Sequence, residues 1–186
     1  GLGDVYKRQG WNRTNVYKYM GFSKFTSLEN IIDISLMREY QANGSDPNYL
    51  QQLIEQAYPN EGNMLMRQYI SDSYDYKLLI RDFEQRDKSV PYFAFNVTMQ
   101  NHGGYTYDGG EFPTVTISNL QGHYKEAEQY LSLIKESDKA FEELVRYLKN
   151  YDEPTIVVMF GDHQPAVEQE FYEEPVSYTH LRAHET

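Results

Sequence analysis

"TIVVMFGDHQP" occupies positions 155–165, and the fold turns on how it is read. Six apolar or β-branched residues stop at Gly161, and Asp162, His163 and Pro165 follow at once. Such a run is the pattern of a short strand covered on both faces. A second run of the same kind, "VPYFAFNVTM", lies at 90–99. Between them, residues 122–150 carry Ala127, Leu131, Ile134, Phe141, Val145 and Leu148 at spacings of three and four, with a gap at Asp138. That periodicity predicts a long helix with those six residues on its buried stripe, and Asp138 there is expected to bond a neighbouring loop. Strand, helix, strand is a βαβ unit, so the expected class is α/β, with a parallel sheet covered by helices. In such sheets ligands sit outside the carboxyl ends of the strands. "QNHGG" at 100–104 and "GDHQP" at 161–165 each follow a run directly, and both are expected at that edge.

Asp162 and His163 offer a carboxylate oxygen and an imidazole nitrogen, donors that suit Zn²⁺ or Mn²⁺, with Gly161 allowing a tight turn before them. An Asp capping a strand-end turn would look the same, and two ligands are fewer than such ions take. His102, flanked by Asn101 and two glycines, could donate to a phosphoryl or sulfuryl oxygen; taken alone, the reading as a polar loop residue is the favoured one. "WNR" at 11–13 sets Trp11 and Arg13 two positions apart: a guanidinium that can grip a phosphate bidentately and an indole that can pack on glycerol or a sugar. His123 opens the long helix as a surface or capping residue.

The 186 residues suffice for a domain with a real core. A net charge of -11 argues against a nucleic-acid backbone as partner, so an anionic substrate would need a locally cationic site or a bound metal. The absence of cysteine excludes disulfides and thiolate metal sites. No run approaches the roughly 20 apolar residues that span a bilayer. Elsewhere, Pro47 heads a predicted helix, Ser71 or Asp72 leads another bearing Tyr76, Leu79, Ile80 and Phe83 on one stripe, and Ser27 with Asn30 forms a weak capping box. Residues 1–9 and 176–186 resemble translated adaptor sequence and are set apart, with His180 and His184, leaving 10–175 as the domain.

Jointly, "GWNRTNVYKYMGF", "FNVTMQNHGGY" and "VVMFGDHQP", with "YKEAEQYLSLIKESDKAF" between the last two, resemble the extracellular domain of the lipoteichoic acid synthase family. Its members are sulfatase-like phosphoglycerol transferases of the alkaline phosphatase superfamily. The resemblance covers most of 10–170 and implies an alkaline-phosphatase-like sheet covered by helices on both faces, incomplete in this chain. It implies that a threonine attacks the phosphate of phosphatidylglycerol and that glycerol phosphate then passes to a glycolipid or polymer acceptor. It implies one divalent ion, Mn²⁺ before Mg²⁺ or Zn²⁺, with Asp162 and His163 among its ligands, and His102, Trp11 and Arg13 around the glycerol phosphate. The family's threonine nucleophile, its glutamate ligand and its membrane helices match nothing here. The expectation is therefore the C-terminal part of a catalytic domain, inactive alone, whose parent works at the outer face of a bacterial plasma membrane. Ester hydrolysis within the same superfamily, or a non-catalytic glycan-binding module on the same fold, are the alternatives.

Overall fold

A computed structural model describes residues 13–107 and 112–173. The chain divides into two compact units, Gly1–Gly62 and Asn63–Thr186. The first holds α1 (Arg13–Tyr19), α2 (Leu28–Ile31), α3 (Ile34–Ala42) and α4 (Pro47–Ala57). Ser27 and Asn30 do form the weak box read from sequence, the Ser27 amide donating to Asn30 Oδ1 at 3.0 Å. Asp33 and Asp46 cap α3 and α4 by accepting from the amides of Ser35 and Asn48, and Pro47 takes the first turn of α4, where its missing N–H costs nothing. Met37, Tyr40, Leu50 and Ile54 bury one stripe of each helix against the other.

The second unit begins with a hairpin, β1 (Leu65–Met66) antiparallel to β2 (Tyr69–Ile70), with Leu65 opposite Ile70 and Met66 opposite Tyr69. Ser71 then caps α5 (Asp72–Glu84), its Oγ accepting from the Tyr74 amide and donating to the Asn63 carbonyl. The long helix α6 (Lys125–Lys149) packs beside α5, and α7 (Gln169–Glu173) closes the described chain. Tyr76 of α5 meets Ala140 and Leu144 of α6 in a small core, with Leu79, Ile80, Phe141 and Leu148 around it. Asp72 pairs with Ser137, Tyr76 with Phe141 and Glu84 with Tyr147, so the two helices run in the same direction. At their C-terminal ends Arg86 lies 3.7 Å over the Phe83 ring and pairs with Glu153.

The buried stripe of α6 differs from the expected one. Leu133, Ser137, Ala140 and Leu144 face inward with Ala127, Glu128, Gln129 and Ser132, whereas Ile134 is exposed and Leu131, Phe141, Val145 and Leu148 are half-buried. Small residues at 132, 137 and 140 let neighbouring backbone come close, and the polar ones among them answer loop groups that need hydrogen bonds. Ser132 Oγ accepts from the Thr114 and Val115 amides, and the Glu128 carboxylate from those of Ile117 and Gly122. Asp138 is exposed, and it is Ser137 that bonds the neighbouring loop.

The runs at 90–99 and 155–160 are not the buried strands expected of them. Neither forms a strand, and the β1–β2 hairpin is the one sheet among the described residues. Along the second run exposure alternates, Ile156 at 93% and Val158 at 77% against Val157 at 43%, which is strand-like side-chain period without a ladder. Val157 lines a cavity with Val145 and Leu148 of α6, while its neighbours Ile156 and Val158 are more exposed. The residues favour an extended backbone, but a strand also needs a hydrogen-bonding neighbour, and composition cannot supply one. The directions of a βαβ unit are nevertheless kept. Tyr92, Asn96 and Gln100 bond Asp82, Asp75 and Asp72 in turn, so this run passes back along α5. The other leaves the C-terminal end of α6 at Thr155 and reaches its N-terminus by Glu168, which accepts from the Glu126 and Ala127 amides. Both runs therefore point toward the N-terminal ends of the helix pair.

Candidate functional site

Each run ends in one of the two polar loops. Asp162 and His163 are both exposed, with His163 Nε2 3.6 Å from Asp162 Oδ1. His163 Nδ1 lies 2.7 Å from the Gln164 carbonyl oxygen. A carbonyl only accepts, so Nδ1 carries the proton and Nε2 presents its lone pair beside the carboxylate. A ring held by one nitrogen to a backbone carbonyl, with the other left open, is the arrangement in which histidine binds metal. Two ligands about 2.1 Å from a tetrahedral ion stand about 3.4 Å apart, close to the separation found here. The separation alone is thus compatible with two ligands of one divalent ion. Among the described residues no group of three or more His, Asp or Glu side chains gathers around one point, so the donor set stops at two.

The other loop is pinned more heavily. Arg67, 3% exposed, sits in the two-residue turn between β1 and β2. Its Nη2 donates to the carbonyls of Gln100 (2.8 Å) and His102 (2.9 Å), and Nη1 to that of Gly104 (3.0 Å). The Tyr105 hydroxyl donates to the Asn101 carbonyl, and the His102 amide to that of Met99. Gly104 has φ +91°, a region that a side chain would disfavour. Arg67 itself has φ +56°, a conformation costing a non-glycine residue about 1 kcal/mol, so its side chain must compensate for the turn it occupies. Burial lowers the Arg67 guanidinium from its usual value, with Tyr69, Tyr105 and Tyr107 acting the other way; it stays charged at neutral pH. The His102 side is exposed, and its Nδ1 lies 3.1 Å from the Tyr69 hydroxyl.

Below the loop lies a buried polar junction. Ser137 Oγ accepts from Gln100 Nε2 (3.0 Å) and Asn101 Nδ2 (2.8 Å), and donates to Asp72 Oδ2 (2.6 Å). Gln100 Oε1 takes the Asp72 amide and Nε2 reaches the Leu133 carbonyl. Burial raises the Asp72 carboxyl, against the hydrogen bonds from Ser137 and Thr98, and drives Asp75 up to about 6 despite its bond from Asn96.

Of the residues read from sequence, Asp162 and His163 are brought together, and His102 is fixed on a loop toward the same end of the helix pair. Arg13 opens α1 in the first unit and is exposed, and Trp11 lies outside the described residues, as do positions 1–9 and 176–186. Sequence reasoning missed Arg67, Tyr69 and Ser137. The hairpin strands of "LMRQYI" are two residues long, too short for any period, and Ser137 differs from other helix serines only in its surroundings.

The chain belongs to the sulfatase family, whose pattern it matches over residues 3–186. It is similar to a protein of Rhizobium meliloti (strain 1021) named for cyclic beta-1,2-glucan modification, with 31% identity over 168 residues that cover 87% of this chain and 21% of that protein. It is also similar to the capsular polysaccharide biosynthesis protein RkpI of the same organism, 28% identical over 97 residues, which are 52% of this chain and 16% of that one. The chain thus spans about a fifth of the length of the curated relatives it matches. No solved structure matches it significantly. No helix among the described residues is long and apolar enough to cross a membrane.

Proposed function

We propose that the chain supplies part of the site of a metal-dependent phosphoglycerol transferase. In this reading glycerol phosphate moves from a phosphatidylglycerol-type lipid to a cell-envelope polymer, lipoteichoic acid or a comparable glycolipid or glycan acceptor. The observation that carries the proposal is His163, whose Nδ1 is bound to the Gln164 carbonyl so that Nε2 and Asp162 Oδ1 form an open donor pair. Sulfatase family membership supports ester chemistry of this kind, and the names of both relatives concern envelope polysaccharides.

Asp162 and His163 would hold a divalent ion, Mn²⁺ in preference to Mg²⁺ or Zn²⁺, which when bound lowers the pKa of the attacking hydroxyl and offsets negative charge on the phosphoryl group. His102, exposed on a pinned loop, donates to a phosphoryl oxygen as charge builds there. On the family resemblance alone, Arg13 would clasp the phosphate and Trp11 would pack on the glycerol. The attacking threonine and a carboxylate ligand belong to other parts of the parent protein, which works where its lipid donor is displayed, at the outer face of the plasma membrane.

The test uses the longer protein, a phosphatidylglycerol analogue, a glycan acceptor and added Mn²⁺. Asp162→Asn and His163→Ala are expected to remove at least about 10²-fold of turnover, and His102→Ala about 10²–10³-fold. Near-normal rates in the Asp162 or His163 variants would defeat the proposal. The family match gives specific support to a second reading, hydrolysis of a sulfuric or phosphoric ester. Turnover independent of the acceptor would favour it.

A further inference from the structure

We infer that Arg67 and Tyr69 are positioning residues, which present His102 to the substrate as a donor with a proton on Nε2 and with Nδ1 accepting from Tyr69. The substrate-facing half of this statement rests on the function proposed above; the presentation itself does not.

Arg67 is buried, so it cannot touch a substrate. Its Nη atoms are directed to three carbonyls of one loop, those of Gln100, His102 and Gly104, which bracket His102. A planar guanidinium satisfies several carbonyls at once, as a lysine ammonium on a flexible stem does not. The side chain is delivered by a left-handed backbone that glycine would adopt more readily, which marks its chemistry as the reason for its place. The loop is thereby held from beneath, and the imidazole stands outward.

Tyr69 then sets the ring. Its hydroxyl is 3.1 Å from His102 Nδ1, and the two rings stand 5.5 Å apart. A phenol and an imidazole nitrogen can share a proton either way. Tyr69 is buried, and among the described residues its hydroxyl has no other acceptor than Nδ1. Donation from tyrosine to Nδ1 therefore leaves no phenolic proton stranded, while the reverse direction would. The Arg67 guanidinium, 5.3 Å from the Tyr69 ring centre, favours electron withdrawal from the phenol and so the same direction. Nδ1 accepts, and the remaining proton sits on Nε2. His102 is thus prepared to donate to an anionic oxygen and not to take a proton from a nucleophile.

The experiment is ¹⁵N NMR of histidine side chains in the 186-residue chain, at a pH above the imidazole titration. The expected result is an unprotonated Nδ1 and a protonated Nε2 for His102; a protonated Nδ1 overturns the inference. Tyr69→Phe keeps the ring and should fold, and it is expected to give averaged signals from both tautomers. Unmoved nitrogens in that variant would overturn the role of Tyr69. Arg67→Gly relaxes the turn, and it is expected to broaden the amide signals of residues 102–104, with Arg67→Lys restoring them only in part. Unchanged signals there would overturn the role of Arg67. Titration with sn-glycerol 3-phosphate is expected to shift Nε2–H of the wild type, and Tyr69→Phe to weaken that binding about tenfold. A correct tautomer with no response to glycerol 3-phosphate would leave the presentation standing and overturn the substrate reading instead.

Discussion

Ser137 on α6 donates a hydrogen bond to Asp72 at the start of α5 across 2.6 Å, and the same oxygen accepts from two side chains of the loop that bears His102. One hydroxyl thus joins two helices and a candidate substrate loop. Ser137→Ala leaves Asp72 without that donor, takes the acceptor from the Asn101 amide and leaves Gln100 Nε2 only the Leu133 carbonyl. The expected cost is about 2–3 kcal/mol, the range for a buried hydrogen bond to a charged group. Urea denaturation followed by circular dichroism measures it, and a loss under about 0.5 kcal/mol would mean the junction is not coupled.

The acids of this junction fix the direction of pH dependence. Asp75 rises from 3.8 to about 6 in the folded chain, and Asp72 shifts the same way. A raised carboxyl binds its proton more tightly when folded, so its stabilising contribution is complete below 3.8 and is lost as pH rises through about 6. Melting temperature is therefore expected to fall between pH 4 and 7 through these groups, and Asp75→Asn to flatten that slope. An Asp75→Asn chain with the slope of the wild type would contradict the assignment.

Mn²⁺ provides a direct probe of the donor pair. Addition to this chain is expected to broaden the ring signals of His163 ahead of those of His123, with weak affinity because the candidate donor set among the described residues is a pair. Asp162→Asn should weaken the effect at least about tenfold. Broadening of His163 that ignores this substitution would show that the carboxylate takes no part.

Glu168 caps α6 from a distance, accepting from the amides of Glu126 and Ala127 at 2.8 and 3.0 Å. A carboxylate there satisfies two orphan donors and complements the helix dipole. Glu168→Ala is expected to cost about 1 kcal/mol and to speed hydrogen exchange at both amides. Exchange unchanged at those two positions would rule the cap out.

Much of this was legible before any coordinates. Ser71 heading α5, Pro47 heading α4 and the length of α6 follow from capping chemistry and a 3.6-residue period, which are local. The rotation of α6 was not, because Ser132 and Ser137 turn inward only for partners at residues 72, 100, 101, 114 and 115. The runs at 90–99 and 155–160 show the same boundary: their direction was readable, the absence of a paired neighbour among the described residues was not. In the site, Asp162, His163 and His102 announced themselves as polar residues after apolar runs. Arg67 did not, since a carbonyl clamp has no sequence period and its targets lie 33 to 37 residues away.

The outward row of Ile156, Val158 and Phe160 bears on handling the chain at all. Thr155–Phe160 is mostly apolar, uncharged, rich in β-branched residues and free of proline, and its apolar side chains are exposed. Segments of that composition recruit copies of themselves edge to edge and stack into fibres. What guards it lies at its two ends: Asp152, Glu153 and Pro154 before it, Asp162 after it. Asp162 would then serve as a gatekeeper against aggregation besides the ligand role proposed for it, and a neutral substitution there should make the purified chain cloud sooner on concentration, with or without added metal.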